Sequence, residues 1–226
     1  MILRSRTHRC IAKVSIFLIA IALIVVMAGC GTTNGTDTHP FAGGSGTAAD
    51  PYQIENWTQL DAVRDYLGSH FILMNDLDST TAGYSTLAGP AADGGKGWEP
   101  IGTVVLDVAT LMEVMEDIMT TWVLPEDLLE RVFPPESFVD PFTGNLDGQG
   151  FEIRDLFINR PLDLDPYMEE LPETVEGGVG IFGLVAAGGV VENVGVIDAD
   201  MTGGLGAGAL AGVSAGTISN LSLIHI

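Results

Sequence analysis

A short pattern that recurs in the second half of the chain constrains the fold more than any other feature. The segments 142–159, 180–203 and 208–223 each carry a Gly-bearing turn, an apolar residue, a polar pair ending in Asp or Asn, and another apolar residue. The aligned triplets are Ile153-Arg154-Asp155, Val191-Glu192-Asn193 and Ile218-Ser219-Asn220. Short β-like runs that recur at such spacing indicate stacked coils rather than a closed globule. We therefore expect an all-β chain folded as a β-helix, or solenoid.

The same repeats predict where the chain turns. In FEIRDLFIN the alternation of apolar residues shifts phase at Asp155, which indicates a bend from one sheet face to the next. Asn and Asp tolerate the left-handed backbone that a corner needs. We therefore interpret Asp155, Asn193 and Asn220 as structural corner residues and not as ligands or catalysts. In LDGQG, Asp147 and Gly148 are expected to supply the unusual backbone angles of a tight turn.

The first 29 residues have the layout of an export signal. A basic start is followed by the uncharged apolar run VSIFLIAIALIVVMAG and by small residues before Cys30. The end of the run, VMAGC, resembles the lipobox of prokaryotic lipoproteins, and that resemblance implies cleavage before Cys30 and a diacylglyceryl group on its thiol. An uncleaved N-terminal anchor is the alternative. Both interpretations predict a membrane-anchored protein at the cell surface of a prokaryote, with its folded part outside the cytoplasm.

The segment after the signal is polar and the chain beyond it is strongly acidic. Residues 30–48 are rich in Gly, Thr and Ser, which predicts a flexible tether. Beyond residue 29 there are 30 acidic side chains and five basic ones, a net charge of −25. Such a surface repels nucleic acid, so nucleic-acid binding is excluded as a function. Cys30 is the only cysteine in this part, so no disulfide can form within it.

Residues 49–103 are predicted to form an N-terminal cap and the first rungs. Thr58 and Asp61 have the spacing of a capping box, apolar residues follow on one face of a helix over 58–67, and Gly68 suits a left-handed stop. The strand HFILMNDLDS comes next. An end coil would present a bare strand edge. We therefore expect the helix to cover the end of the apolar column and the strand to be the first rung.

Four stretches together resemble bacterial and archaeal surface proteins that carry GLUG repeats. They are GSGTAADPYQIENWTQLDAVRDYLGSHFILMNDLDS, GWEPIG, FTGNLDGQGFEIRDLFIN and GIFGLVAAGGVVENVGV. Such repeats also occur in adhesin-like proteins and upstream of the catalytic domain of immunoglobulin-A-cleaving metallopeptidases. The resemblance implies a right-handed parallel β-helix displayed outside the cell, with its coils at 141–220. The chain departs from the repeat at Ala186, where glycine is usual, and in the looser Ala211-Gly212-Val213, which leaves the number of coils open.

Two segments interrupt the repeats. Residues 104–140 predict a helical insertion packed on the flank of the coils, with a second helix that starts at Pro125. The apolar stripe of the first helix is Leu111, Met112, Met115, Ile118 and Met119. Binding of a partner or peptide to this Met-rich face is the alternative to plain packing. Residues 160–177 predict a solvated acidic loop. Its weak calcium candidates, which lack the spacing of the twelve-residue calcium loop, are Asp163, Asp165, Glu169 and Glu170.

The last residues, LSLIHI at 221–226, resemble the translation of a sequencing-adapter end. That resemblance predicts that the natural protein continues past Asn220 and that this chain is a fragment.

The sequence contains neither the zinc motif H-E-x-x-H nor a phosphate loop. Polysaccharide-cleaving β-helix enzymes use acids together with Arg or Lys on one face, and the sole grouping of that kind is Arg154 beside Asp155 with Asp147 nearby. We expect a lipid-anchored, non-catalytic surface protein, adhesive or structural, with no cofactor and with a glycan or protein of a host or neighbouring cell as its partner. The alternative is the non-catalytic N-terminal region of a larger secreted metallopeptidase or carbohydrate-active enzyme.

Overall fold

The computed structural model describes residues 39–122, 127, 131, 134–161, 173–204 and 206–224. The chain divides into two compact units, Met1–His39 and Pro40–Ile226. Three predicted features lie outside the described residues: the export signal with Cys30, the start of the second helix at Pro125, and the calcium candidates Asp163, Asp165, Glu169 and Glu170. All buried apolar residues of the described chain lie between Phe41 and Leu210. The described core therefore lies entirely within the second unit.

The protein is predominantly β. Its strands are β1 (Tyr52–Ile54), β2 (His70–Leu73), β3 (Thr103–Asp107), β4 (Phe138–Val139), β5 (Asn145–Asp147), β6 (Glu152–Arg154), β7 (Phe157–Asn159), β8 (Thr174–Gly177), β9 (Phe182–Val185), β10 (Val190–Glu192), β11 (Gly195–Ile197), β12 (Asp200–Thr202), β13 (Ala211–Ser214), β14 (Thr217–Ser219) and β15 (Ser222–Ile224). The helices are α1 (Trp57–Asp61), α2 (Tyr84–Leu87) and α3 (Val108–Thr121), and short 3₁₀ turns lie at Ala62–Asp65, Ala92–Gly95 and Pro135–Ser137.

Most strands pair in parallel with strands that are distant in sequence. One sheet has the order β1-β2-β5-β10-β14, a second has the order β15-β11-β6, and two-stranded sheets join β12 to β7 and β13 to β9. Every pair within these four sheets is parallel. Parallel neighbours are usually linked by crossover helices, but the links from β5 to β6 and from β6 to β7 are turns of a few residues. The chain therefore changes sheet at nearly every turn.

The register aligns the repeats differently from the sequence prediction. Val191 of β10 pairs with Ile218 of β14 on one side, as the triplets predict, but on the other side it pairs with Leu146 of β5. Ile153 belongs to the next sheet, where it pairs with Val196. The predicted alignment of Ile153 with Val191 is therefore wrong. The reason is that Leu146-Asp147 and Ile153-Arg154 both consist of an apolar residue followed by a charged one, and both pairs lie in strands.

Apolar residues at equivalent positions of paired strands form the core. Tyr52, Phe71, Leu146, Val191 and Ile218 follow one another across the five-stranded sheet, and the middle three are fully buried. A row of aromatic rings runs through the same interior, with the ring centroids of Phe142 and Phe182 4.6 Å apart. Side chains of a strand alternate between its two faces. Pairing in register therefore places apolar side chains next to apolar side chains of the neighbouring strand, and together they form one apolar interior.

The N-terminal edge differs from the prediction in three respects. The outermost strand is β1, and the predicted first strand β2 lies second in the sheet. Part of the predicted tether is folded, because Ala42 N donates to Gln53 O at 3.0 Å and Gln53 N donates to Gly43 O at 2.9 Å, so this segment satisfies the outer edge of β1. The helix begins earlier than predicted, with Asn56 as its N-cap in place of Thr58, since the Asn56 side chain accepts from Gln59 N at 3.0 Å.

The predicted insertion contains strands as well as a helix. β3 and β4 form an antiparallel sheet with β8 in the order β4-β3-β8. Helix α3 follows β3 directly, and its N-cap Asp107 accepts from Thr110 N at 2.7 Å. Val108, Leu111 and Val114 are the buried residues of this helix. The predicted packing of the methionine stripe is wrong, because Met112, Met115 and Met119 are exposed.

Glycine is required where the insertion joins the parallel sheets. A Cβ atom on Gly183, in the sequence GLVA, would lie 2.1 Å from the carbonyl oxygen of Gly102 and 2.9 Å from that of Gly178. On the paired strand β13, a Cβ atom on Gly212 would lie 2.3 Å from the Cα of Gly178. Strands β9 and β13 can therefore approach Gly178 this closely only because neither Gly183 nor Gly212 has a side chain.

Candidate functional site

A ladder of polar side chains runs along one corner of the parallel sheets. Asn193 Nδ2 donates to Asp147 Oδ1 at 2.9 Å, and Asn220 Nδ2 donates to Asn193 Oδ1 at 3.0 Å. Asp147 ends β5, whereas Asn193 and Asn220 follow β10 and β14 directly, so the three residues lie on neighbouring strands of one sheet. The Asn193 amide is thus both donor and acceptor along the stack, as in other Asn ladders. The ladder lines a shallow polar groove together with Gln149, Glu152 and Ser222.

The corner residues have the backbone that their residue types tolerate. The φ angles of Asp155, Asn193 and Asn220 are 59°, 54° and 51°. Asp198, which sequence reasoning missed, has a φ of 52° and is one residue past β11, as Asp155 is one residue past β6. The register pairs β6 with β11, so an alignment of Asp155 with Asp198 would have found it.

The turn after β5 differs from the prediction in which residues carry the unusual angles. Positive φ values occur at Gln149 (55°) and Gly150 (82°), and not at Asp147 or Gly148. Phe151 N donates to Gly148 O at 2.8 Å, so Gln149 and Gly150 are the two central residues of a turn with positive φ at both positions. Gly148 is needed for a different reason: a Cβ atom there would lie 2.5 Å from Asn193 O. Asp147 accepts from Gln149 N at 2.9 Å and so fixes the turn.

The corner at Asp155 joins the parallel sheets to the segment after β2. The Asp155 carboxylate accepts from the amide and the hydroxyl of Ser79 at 3.1 and 2.5 Å, and its carbonyl oxygen accepts from Tyr84 Oη at 2.7 Å. Burial, with a further contribution from the Asp155 charge, raises the pKa of Tyr84. The phenol is therefore held in its neutral, donating form. Asp155 thus makes a structural tie between distant segments.

The three residues singled out as a polysaccharide-cleaving group do not converge. Arg154 is paired with Glu152 on its own strand. Asp155 is engaged by Ser79, and Asp147 by Gln149 and Asn193. A general acid and a base must share one substrate position. These carboxylates face different partners, so their arrangement does not form such a pair.

A pocket of about 260 Å³ lies between the 3₁₀ turn after α1, the segment before β3 and the end of β8. It contains two arginines, but both are already engaged. Arg64 binds Asp61 Oδ1 at 2.7 Å and the carbonyl oxygen of Glu99 at 2.9 Å. Arg160 binds Asp93 at 2.5 Å and the carbonyl oxygen of Trp98 at 3.1 Å. Because each guanidinium ties two segments of the chain together, we interpret this pair as structural.

Two features of the described residues bear on metal binding and membrane insertion. Between residues 39 and 224, apart from the gaps given above, no three His, Cys, Asp or Glu side chains lie together as metal ligands. In that same part of the chain, none of the helices has the length and apolarity to cross a bilayer.

Two known proteins are similar to this chain. A protein named "Putative Gly-rich membrane protein" from Evansella cellulosilytica is 32% identical over 192 residues, which cover 83% of this chain and 16% of that protein. Halomucin from Haloquadratum walsbyi is 28% identical over 182 residues, which cover 79% of this chain and 2% of halomucin. The chain thus spans only a small part of either relative. No family model matches the chain. No solved structure matches it.

Proposed function

We propose that this chain is a lipid-anchored cell-surface protein whose folded part is a right-handed parallel β-helix of the GLUG-repeat type. It acts as an adhesive or structural element toward a glycan or protein of a host or neighbouring cell. The observation that carries the proposal is the in-register parallel pairing of β5, β10 and β14 around one apolar interior. Such a column presents a long, regular surface and has no need of a closed active site.

The names of the relatives support a location at the surface. One relative is named as a membrane protein and the other as a halomucin. An export signal that ends at Cys30 supplies a means of reaching and staying at that location. Each buried methylene of an acyl chain contributes about 0.8 kcal/mol, so two or three chains hold a protein at a membrane.

The anchor is tested by growing cells that export the full chain in radiolabelled palmitate. The wild-type chain should incorporate label and stay with the membrane fraction, and Cys30→Ala should lose both properties. Cys10→Ala is the matched control, because this cysteine lies in the segment predicted to be removed. Label that persists in Cys30→Ala would reject lipidation at this residue, and protection of the folded part from added protease would reject display at the surface.

Adhesion is tested with the compact unit Pro40–Ile226 immobilised on beads. Beads that carry the folded unit should retain cells or purified surface glycans, and beads that carry a heat-unfolded sample should not. Equal retention by both samples would show that charge alone, and not the folded surface, causes binding. Incubation with acidic polysaccharides should yield no unsaturated products, since their appearance would identify a lyase.

A second candidate is the non-catalytic region of a larger exported enzyme. The small share of each relative that the chain covers, 16% and 2%, favours a place within a longer protein. Recovery of the complete gene distinguishes the two functions. A downstream H-E-x-x-H motif would favour a metallopeptidase, and a downstream continuation of the repeats would favour the surface protein.

A further inference from the structure

The outer face of α3 is the largest group of exposed apolar side chains in the described chain. Met112, Met115 and Met119 are 41%, 48% and 65% exposed, and Trp122, three residues after Met119, is 88% exposed. These methionines lie three or four residues apart, so they share one face of the helix. The adjoining side of the helix, with Leu111 and Val114, is buried, and Leu111 packs with Leu106 and Leu184. The helix thus keeps its place without help from the methionines.

The chemistry around this face is acidic. The groove along the methionines is also lined by Asp107, Glu113, Glu116 and Glu173, and no Lys or Arg of the described chain lines it. Hydrogen bonds from Thr110, first from its backbone amide, lower the pKa of Asp107, so this carboxylate stays charged at neutral pH. An occupant must therefore offer apolar surface and positive charge together.

The chain itself shows that this helix accepts cations. Arg131 places its guanidinium 3.2 Å from Glu113 and 2.9 Å from Asp117. The hydrogen bond to Asp117 is the main reason that the pKa of Arg131 is raised. One side of α3 thus already holds a basic side chain, whereas Glu116 and Glu173, on the groove, have no ion pair among the described residues.

We propose that the face formed by Met112, Met115 and Met119 binds a basic amphipathic helix of a partner protein. The apolar side of that helix packs on the methionines, and its Lys or Arg side chains pair with Glu116 and Glu173. Methionine suits this role because its flexible, polarisable side chain adapts to different apolar surfaces. A second copy of this chain does not fit, because its net charge is also strongly negative. Anionic lipid head groups are repelled by the same carboxylates.

The test uses the unit Pro40–Ile226, which contains all the described core residues. The probe is a synthetic Leu/Lys peptide of about four helical turns, patterned to be amphipathic. Two control peptides share its length: one has Glu at each Lys position, and the other has Ser at each Leu position. Binding is followed by Trp122 emission, since Trp57 and Trp98 are fully buried. It is followed independently by the ¹³C-methyl signals of the methionines.

The Leu/Lys peptide should shift Trp122 emission to the blue and move the methyl signals of Met112, Met115 and Met119, but not that of Met74. The triple variant M112S/M115S/M119S should weaken binding at least tenfold. Met74→Ser, at another exposed methionine, should change it less than twofold. The triple variant removes no buried core residue, and an unchanged circular dichroism spectrum would show that it folds.

Four results would overturn the proposal. They are equal binding of the Ser/Lys peptide, equal binding by the triple variant, binding of the Leu/Glu peptide, and a Trp122 shift with neutral phosphatidylcholine vesicles in place of peptide. A dimer that forms through the methionine face, detected by sedimentation and lost in the triple variant, would assign the face to a second copy and would likewise reject the basic helix.

Discussion

Substitution of Asn193 separates the contribution of a corner residue's side chain from that of its left-handed backbone. Its side chain links Asp147 to Asn220 through hydrogen bonds of 2.9 and 3.0 Å. Its backbone has a φ of 54°, where most residues are strained and Asn is tolerated. Asn193→Ala removes the hydrogen bonds and adds the strain. Asn193→Gly removes the hydrogen bonds without adding that strain.

The magnitudes follow from these two contributions. Each partly exposed hydrogen bond contributes about 1 kcal/mol to the free energy of unfolding, so either variant loses about 2 kcal/mol. Alanine in the left-handed region costs about 1 kcal/mol more, whereas glycine costs about 0.5–1 kcal/mol through the entropy of the unfolded chain. We expect a loss of about 3 kcal/mol for Asn193→Ala and slightly less for Asn193→Gly. With an m-value of about 2 kcal/mol/M, the urea midpoint of the alanine variant falls by about 1.5 M.

Equilibrium urea unfolding of Pro40–Ile226, followed by the emission of buried Trp57 and Trp98, measures these differences. Asn193→Asp adds a charge test. It places a second carboxylate where the amide now donates to Asp147, so like-charge repulsion should lower the urea midpoint further than Asn193→Gly does. Midpoints of the alanine and glycine variants within 0.2 M of wild type would show that the ladder contributes nothing, and the account of the corner would be wrong.

Three further outcomes are expected. Gly183→Ala should lower the free energy of unfolding by about 3 kcal/mol or more, because its Cβ atom would lie 2.1 Å from Gly102 O. Gly68→Ala, whose Cβ atom would lie 3.6 Å from Thr143 Oγ1, should be close to neutral in the same urea assay. The urea midpoint of the wild-type unit should rise between about 0.1 and 1 M NaCl. Its many acidic side chains repel one another, and the screening length falls from about 10 to about 3 Å over this range. An unchanged midpoint would show that this repulsion does not affect stability. Hydrogen bonds from Thr110 lower the pKa of Asp107 from 3.8, so the contribution of this N-cap to the stability of α3 is complete above pH 3.8 and is lost as the pH falls through the lower folded-state pKa. The helical circular dichroism signal of the wild type should fall over that pH range. The signal of Asp107→Asn should fall less, because asparagine can cap the helix without titrating.

The pairing of the repeats could be predicted where the apolar–polar order of a segment identifies its strand. The pairing of Val191 with Ile218 follows from two segments with the same apolar–polar order. Ile153 was misaligned because its strand and the preceding strand at Leu146 carry that same order, and only the register distinguishes them. The left-handed backbone at Gln149 could not be foreseen, because Gln has no preference for it and the turn imposes it.

The surface of the insertion could be predicted only in part. The periodicity places Leu111 and the methionines on one stripe of a helix but does not tell which part of that stripe is buried. Leu106 of β3 and Leu184 of β9 pack with Leu111, whereas Met112 and Met115 stay exposed. A local sequence pattern cannot predict contacts between residues so far apart in the chain.

The structure also predicts how far the polar ladder at Asn193 and the methionine face of α3 depend on each other. The parallel sheets and the antiparallel sheet meet at Gly183, which packs on the residue immediately before β3, and at the small cluster of Leu106, Leu111 and Leu184. Substitutions more than about 10 Å apart with no shared partner are additive. The triple methionine variant and Asn193→Ala share no contact, so their effects on the free energy of unfolding should add within about 0.5 kcal/mol. Gly183→Ala should instead loosen α3 together with the ladder, so it should weaken both urea resistance and peptide binding. If it lowered the urea midpoint and left peptide binding unchanged, the antiparallel sheet would hold α3 independently of that junction.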